Sequence, residues 1–206
     1  TDSKDAANKA YVDMQFNKVM AMFLNEKSNK NESFSSATEG TVMDIDSNVY
    51  DIVKIGNQWW MADNLRVTKF NDSTEIEYNN GGDTWTSSTT PAYAWYDNDS
   101  IFADTTNYGA LYNGYTIETT KNVCPDGWHV PSNEEWGELE MYLGLSESDV
   151  AKSGFRGFDT NVGVVLKDTL TWANNSRNTN ETGFSAVSNG RIKNGAFELK
   201  TDFNFM

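Results

Sequence analysis

Cysteine and histidine are almost absent: Cys124 and His129 are the only ones in 206 residues. A lone Cys excludes an internal disulfide framework and a cysteine-built zinc site. A lone His excludes a histidine-rich metal cluster, so much of the usual catalytic alphabet is missing. Basic residues are scarce too, 16 Lys and Arg against 30 Asp and Glu, and the net charge is -14 with a pI near 4.4. That balance argues against nucleic acid and anionic membrane as partners, since both attract basic patches. No apolar run approaches the roughly 18 residues that span a bilayer. No leader pattern is read in the first residues, but the chain opens at Thr1 without a Met, which leaves the natural N-terminus open.

Aromatic residues are plentiful instead, 13% of a polar chain, and most lie between Tyr50 and Trp136. Combined with frequent Asn, Thr, Ser and Gly, they suit an irregular, turn-rich domain better than a helical bundle. The most legible stretch is 124–144, CPDGWHVPSNEEWGELEMYLG. Pro125, Asp126 and Gly127 predict a turn, and Pro131 biases Val130 away from helix. Ser132 and Glu135 form a capping box, with acidic residues in the first turn where the helix dipole favours them. Trp136, Leu139, Tyr142 and Leu143 recur at helical spacing, and Gly144 is the stop.

Residues 3–26 predict an amphipathic helix in which Val12, Phe16, Val19 and Phe23 form an a/d-like seam. Two readings follow: a short self-associating stalk over residues 1–27, or a helix lying on its own domain. DAANKAYVD, residues 5–13, resembles a segment of bacteriophage tail-fibre proteins that commonly introduces a trimeric fibre, which favours the stalk. Residues 28–40 read as a polar linker.

From Thr41 the pattern predicts strands: two hairpins sharing a central strand, turning at 46–48 and at Gly56-Asn57. Asp44, Asp46 and Asn48 imitate the opening of a calcium loop, but Val49 and Ile55 stand where Gly and Glu are needed, so a turn is expected. Residues 71–92 read as a long polar binding loop. AYAW reads as an aromatic strand running into an acidic loop. Asp97, Asp99 and Asp104 there could gather calcium, though a solvated loop is the preferred reading. VVLKDTLTW, residues 164–172, reads as extended, and a final hairpin is expected near Asn194-Gly195.

Residues 41–203 resemble the Fibrobacter succinogenes major paralogous domain, found in bacterial surface and phage proteins. The resemblance rests on DIDSNVYDIVKIGNQWWMADNL, PAYAWYDNDS, YGALYNGY, CPDGWHVPSNEEW and NETGFSA, in the family's order. GWHVPSNEEW is also similar to a segment of formylglycine-generating enzymes and other C-type-lectin-like domains. The resemblance implies an α+β, C-type-lectin-like domain over residues 41–206, with twisted antiparallel strands, one or two helices and long recognition loops. The chain departs from the family at Gly114, where Trp is usual, and at Ala94, where Cys is frequent. It also stops at Met206, before a W-W-S-S-T segment and a final strand whose Cys would pair with Cys124. A fragment of a longer protein is expected; the alternative is that the last strands come from elsewhere.

The function expected is non-catalytic: a virion structural protein, a phage fibre or spike component with a lectin-like module for host attachment. Receptor binding would be to a host-surface glycan or protein, and the expected state is a homotrimer joined to other virion proteins. The alternative is a bacterial cell-surface lipoprotein or adhesin binding polysaccharide. Candidate ligand contacts are Asn79, Asn80, Trp85, Asn174, Asn175, Arg177 and Asn178 in two polar loops. No cofactor is expected. Catalysis is disfavoured because Cys124 and His129 do not by spacing make a nucleophile–base pair, and Glu134 and Glu138 repel at i, i+4. A calcium-dependent sugar site would need E-P-N or Q-P-D with W-N-D, and neither occurs.

Overall fold

The computed structural model describes residues 22–23, 38–101, 108–153, 156–157, 160–172 and 177–198. It is an α+β domain of small sheets and short helices. β2 (Glu39–Met43), β3 (Val49–Ile55) and β4 (Gln58–Met61) form an antiparallel sheet in that order, as the two-hairpin pattern predicts. The first turn is built by Asp44, whose Oδ1 accepts from the N–H groups of Asp46 and Asn48 at 2.9 Å each. Its Oδ2 accepts from Asn48 Nδ2 at 2.8 Å and from the Tyr50 hydroxyl. These carboxylate oxygens are committed to turn donors, which is the chemistry of an Asx turn.

Side-chain alternation on β4 sends its two tryptophans to opposite cores. Trp59 packs at the edge of a cluster that includes Tyr50, Ile52, Met61, Tyr112, Cys124 and Trp128. Trp60 enters a second cluster with Val53, Ile55, Leu139, Val162, Leu166 and Phe184. A strand with period two can serve both cores only in this way.

The second three-stranded sheet joins β5 (Glu77–Tyr78), β6 (Ala92–Trp95) and β7 (Ala110–Tyr112), with β5 parallel and β7 antiparallel to β6. α1 (Gly82–Ser87) lies between β5 and β6, inside the stretch expected to be an unstructured loop. α2 (Gly114–Glu118) follows β7, its first turn capped by the Asn113 side chain accepting from the Thr116 N–H. Gly109 introduces β7 at φ +66°, and a Cβ there would lie 2.6 Å from both Asn64 Cβ and the Leu65 carbonyl oxygen. Only glycine meets both demands. Gly109→Ala is expected to cost about 2–4 kcal/mol, from left-handed strain plus overpacking. Urea unfolding measures it, and a loss below about 0.5 kcal/mol would contradict the close approach.

β8 (Trp128–His129) leads into α3 (Asn133–Tyr142). The capping box forms as expected: Glu135 N–H donates to Ser132 Oγ at 3.3 Å, and Ser132 N–H to Glu135 Oε2 at 2.7 Å. Gly144 follows the helix at φ +104°. Tyr142, one of the residues at helical spacing, is 65% exposed, and its ring lies against Gly56 in the β3–β4 turn. Trp128 and Trp136 belong to different clusters.

Two short helices follow, α4 (Glu147–Val150) and α5 (Val162–Leu166). α5 covers the start of the segment expected to be extended. Its β-branched residues yield to tertiary packing: Val162 and Leu166, one helical turn apart, are both fully buried. β9 (Arg191–Lys193) and β10 (Ala196–Glu198) form the closing hairpin, turning at Asn194-Gly195 as predicted.

The helix expected over 3–26 lies outside the described residues except at Met22–Phe23. Those two are extended as β1 and pair antiparallel with β8, Met22 opposite His129 and Phe23 opposite Trp128. Phe23 is therefore removed from the helical seam, since an extended residue cannot sit on a helix face. Val12, Phe16 and Val19 lie outside the described residues.

Candidate ligand-binding surface

The sheet β5–β6–β7 owes its two faces to the alternation in AYAW. Ala92 and Ala94 are fully buried. The Ala92 N–H donates to Thr116 Oγ1 at 3.0 Å and to Asn113 Oδ1 at 3.1 Å, and the Thr116 hydroxyl also donates to the Ala92 carbonyl at 3.0 Å. Small side chains there let α2 approach. Tyr93 and Trp95 point to the other face, half-buried against the cluster around Tyr50 and Met61.

Parallel pairing places Tyr78 beside Tyr93. Their ring centroids are 5.5 Å apart with planes inclined at 58°, and Tyr93 and Trp95 are 5.4 Å apart at 79°. Tyr112 backs the row, 6.5 Å from Tyr93. Tyr78 is 45% exposed, so the row opens to solvent at that end. Its hydroxyl donates to Asn98 Oδ1 at 2.9 Å, and Asn98 Nδ2 donates to the Asn80 carbonyl at 3.2 Å. Two loops are thereby tied to the rim of an aromatic ledge.

Two carboxylates, Asp46 and Glu75, lie near enough for their charge to reach Tyr93. Asp46 Oδ2 accepts from the Thr68 N–H at 2.7 Å and the Thr68 hydroxyl at 2.8 Å, and Lys69 Nζ lies 3.1 Å from Oδ1. Burial pushes the Asp46 carboxyl up, but the Thr68 and Lys69 donors outweigh it and hold it below the ordinary range. The Tyr93 phenol is raised, first by burial and then by the fields of Tyr78, Glu75 and Asp46. Tyr93 thus keeps its proton and remains a hydrogen-bond donor.

The residues singled out from sequence fare unequally. Asn79 is buried, and its Oδ1 accepts from the Gly81 N–H and the Thr84 hydroxyl at 3.1 Å each, so it shapes the loop. Trp85 packs on a small cluster of Ala94, Leu111, Ile192 and Phe197, on the opposite face of the sheet from the ledge. Asn80 is exposed and reaches the ledge through Asn98. Asn178 donates to the Asp168 carbonyl at 3.2 Å, and Arg177 is exposed. Asn174 and Asn175 lie outside the described residues. So does Asp104; Asp97 and Asp99 are exposed, and among the described residues no group of three or more His, Cys, Asp or Glu is arranged to hold a metal ion. The row of Tyr78, Tyr93 and Trp95 was not singled out from the sequence, although the period-two alternation of AYAW already set Tyr93 and Trp95 on one face.

A cavity of about 440 Å³ lies between α2's exit and β8, lined by Ile117, Lys121, Val123, His129 and Pro131 among others. His129 Nε2 sits 2.9 and 3.0 Å from the Glu135 carboxylate oxygens, fastening β8 to the start of α3. Cys124 is fully buried, and burial pushes its thiol far above the ordinary range. A thiol so held is a poor nucleophile. Glu134 and Glu138 are both exposed, the wet face expected for them.

Fold and surface together define a small α+β domain whose loops and short strands frame an aromatic row that meets solvent at Tyr78. Residues 53–206 match the Fibrobacter succinogenes major domain, and the chain belongs to that family. No curated protein and no solved structure matches it.

Proposed function

We propose that the chain is a non-catalytic virion structural protein, a phage fibre or spike component that displays a C-type-lectin-like module for host attachment. The observation that carries the binding role is the ledge of Tyr78, Tyr93 and Trp95, partly open and rimmed by amides and carboxylates. Aromatic rings offer large contact area at low entropic cost, and the rim supplies oriented hydrogen bonds. The twisted antiparallel sheet β2–β4, the capped helix α3 and the long connections support the lectin-like reading. The tail-fibre-like segment at residues 5–13 supports the virion setting. In a homotrimer, with a seam at Val12, Phe16 and Val19, three ledges would act through effective concentration.

The family's bacterial name favours a second setting for the same module, an adhesin on a bacterial cell surface that captures polysaccharide.

Purified full-length chain should compete with virions for host cells, and Tyr78→Ala should weaken that competition roughly tenfold, the loss of one good aromatic contact. Light scattering on the same sample should give a trimer. A monomer would overturn the assembly reading, and competition unchanged by Tyr78→Ala would overturn the ledge.

A further inference from the structure

The chain holds four Asn-Gly pairs, beginning at Asn80, Asn113, Asn189 and Asn194, and all four lie among the described residues. In such a pair the backbone nitrogen of the glycine can attack the Asn side-chain carbonyl carbon, because no Cβ on the glycine shields it. The new N–Cγ bond closes a succinimide ring, the Cγ–Nδ2 bond breaks, and ammonia leaves. Water then opens the ring at one carbonyl to give aspartate, or at the other to give isoaspartate. The step needs a free side-chain amide and a peptide unit that can rotate towards it.

The fold withholds these conditions from three pairs. Asn113 is buried: its Oδ1 accepts from the Ala92 and Thr116 N–H groups at 3.1 Å each, and its Nδ2 donates to the Thr90 carbonyl at 2.8 Å. Asn189 is buried as well, with Nδ2 donating to the Tyr108 carbonyl at 3.0 Å. Asn80 is exposed, but its peptide unit with Gly81 is held at both ends. The carbonyl accepts from Asn98 Nδ2 at 3.2 Å, and the Gly81 N–H donates to Asn79 Oδ1 at 3.1 Å.

Asn194 differs from all three. It is exposed at the tip of the closing hairpin, with φ +50° followed by +78° at Gly195. Lys193 and Ala196 close the ladder, so the peptide unit between Asn194 and Gly195 lies outside it, and among the described residues no backbone hydrogen bond holds its carbonyl or its N–H. The two strands are three residues long and pair only with each other. Short hairpins of this kind open locally at low cost, which lets the Gly195 nitrogen reach Asn194 Cγ. The same tip is seated tightly: the Gly195 carbonyl accepts from the Gly82 N–H at 2.7 Å, and a Cβ on Gly195 would lie 2.5 Å from the Gly82 carbonyl oxygen. Isoaspartate would add a backbone atom to a turn whose two-residue length sets the register.

We infer that Asn194 is the deamidation site of the folded chain, and that its conversion to isoaspartate unseats the closing hairpin from the α1 loop. The test holds the full chain at mildly alkaline pH, in native buffer and in urea, and follows each pair by peptide mass mapping. In native buffer Asn194 should convert at least roughly tenfold faster than the other three, whereas in urea the four rates should converge. Asn98→Ala, at an exposed position, should speed conversion at Asn80 alone. In the isolated isoaspartate form the Gly82 and Ala196 amides should exchange hydrogen faster than in the parent. Native conversion led by another pair, equal at all four, or absent at Asn194 would overturn the site. An unchanged Asn80 rate in Asn98→Ala would overturn the held-peptide argument, and unchanged exchange at Gly82 and Ala196 would overturn the unseating.

Discussion

Replacing Trp60 with Ala is expected to destabilise the domain by about 3–5 kcal/mol, the range for truncating a buried Trp. Trp60 is fully buried, with ring centroids 5.0 Å from Trp136 and 6.0 Å from Phe184. Its indole N–H donates to Gln58 Oε1 at 3.3 Å, and Gln58 Nε2 in turn donates to the Glu135 carbonyl at 3.0 Å. The substitution therefore empties a cavity where β4, α3 and the Phe184 segment meet, and leaves Gln58 short of a donor. For a chain of this size the melting temperature should fall by roughly 6–20 °C. Trp136→Ala should cost less, because Trp136 is only half-buried at the margin of the same cluster. Equal losses in the two variants would contradict this ranking.

Arg156→Met should destabilise by a similar amount, about 3–5 kcal/mol, for a different reason. Glu140 on α3 and Arg156 have side chains only 3% and 4% exposed, with Arg156 Nε 2.6 Å from Glu140 Oε2. Burial raises the Glu140 carboxyl above its ordinary value, and the Arg156 hydrogen bond and charge pull against that. Without Arg156 the buried carboxylate has lost its partner. Its penalty applies when it is ionised, so the deficit should be largest at neutral pH. It should shrink as pH falls through the raised Glu140 value, where the group folds neutral. Glu140→Met combined with Arg156→Met should recover most of the loss, since both charges then leave together. Chemical unfolding of the four proteins of this cycle reads the coupling. A single Arg156→Met as stable as the parent would contradict a paired buried charge.

Features set by a few neighbouring residues were legible in the sequence. The Ser132–Glu135 capping box, the Asp44 turn, the Gly56-Asn57 hairpin and the Asn194-Gly195 hairpin each depend on side chains within four residues. The misread elements depend on distant partners. Val162–Leu166 carries strand-like residues but turns helical over the core that Trp60 and Phe184 supply. Met22–Phe23 fits a helical stripe yet pairs with β8, more than a hundred residues away. Propensity is a weak prior against contacts of that kind.

The candidate surface shows the same division. Polar loops suggested Asn79 and Trp85, but Asn79 is spent on its own turn and Trp85 lies across the sheet from the ledge. The ledge exists because β5 joins β6 in parallel and sets Tyr78 beside Tyr93. No spacing within residues 78–93 announces that pairing. The alternation that sets Tyr93 and Trp95 on one face could be read; the ring that completes them could not.

The most direct test of the proposed binding through the ledge is a two-dimensional ¹H–¹⁵N NMR titration of the chain with soluble cello-, manno- or malto-hexaose. The account predicts that the Trp95 indole resonance and the backbone amides of Tyr78, Tyr93 and Asn98 shift together and saturate. Shifts clustered instead around His129 and Lys121, with the ledge silent, would contradict it.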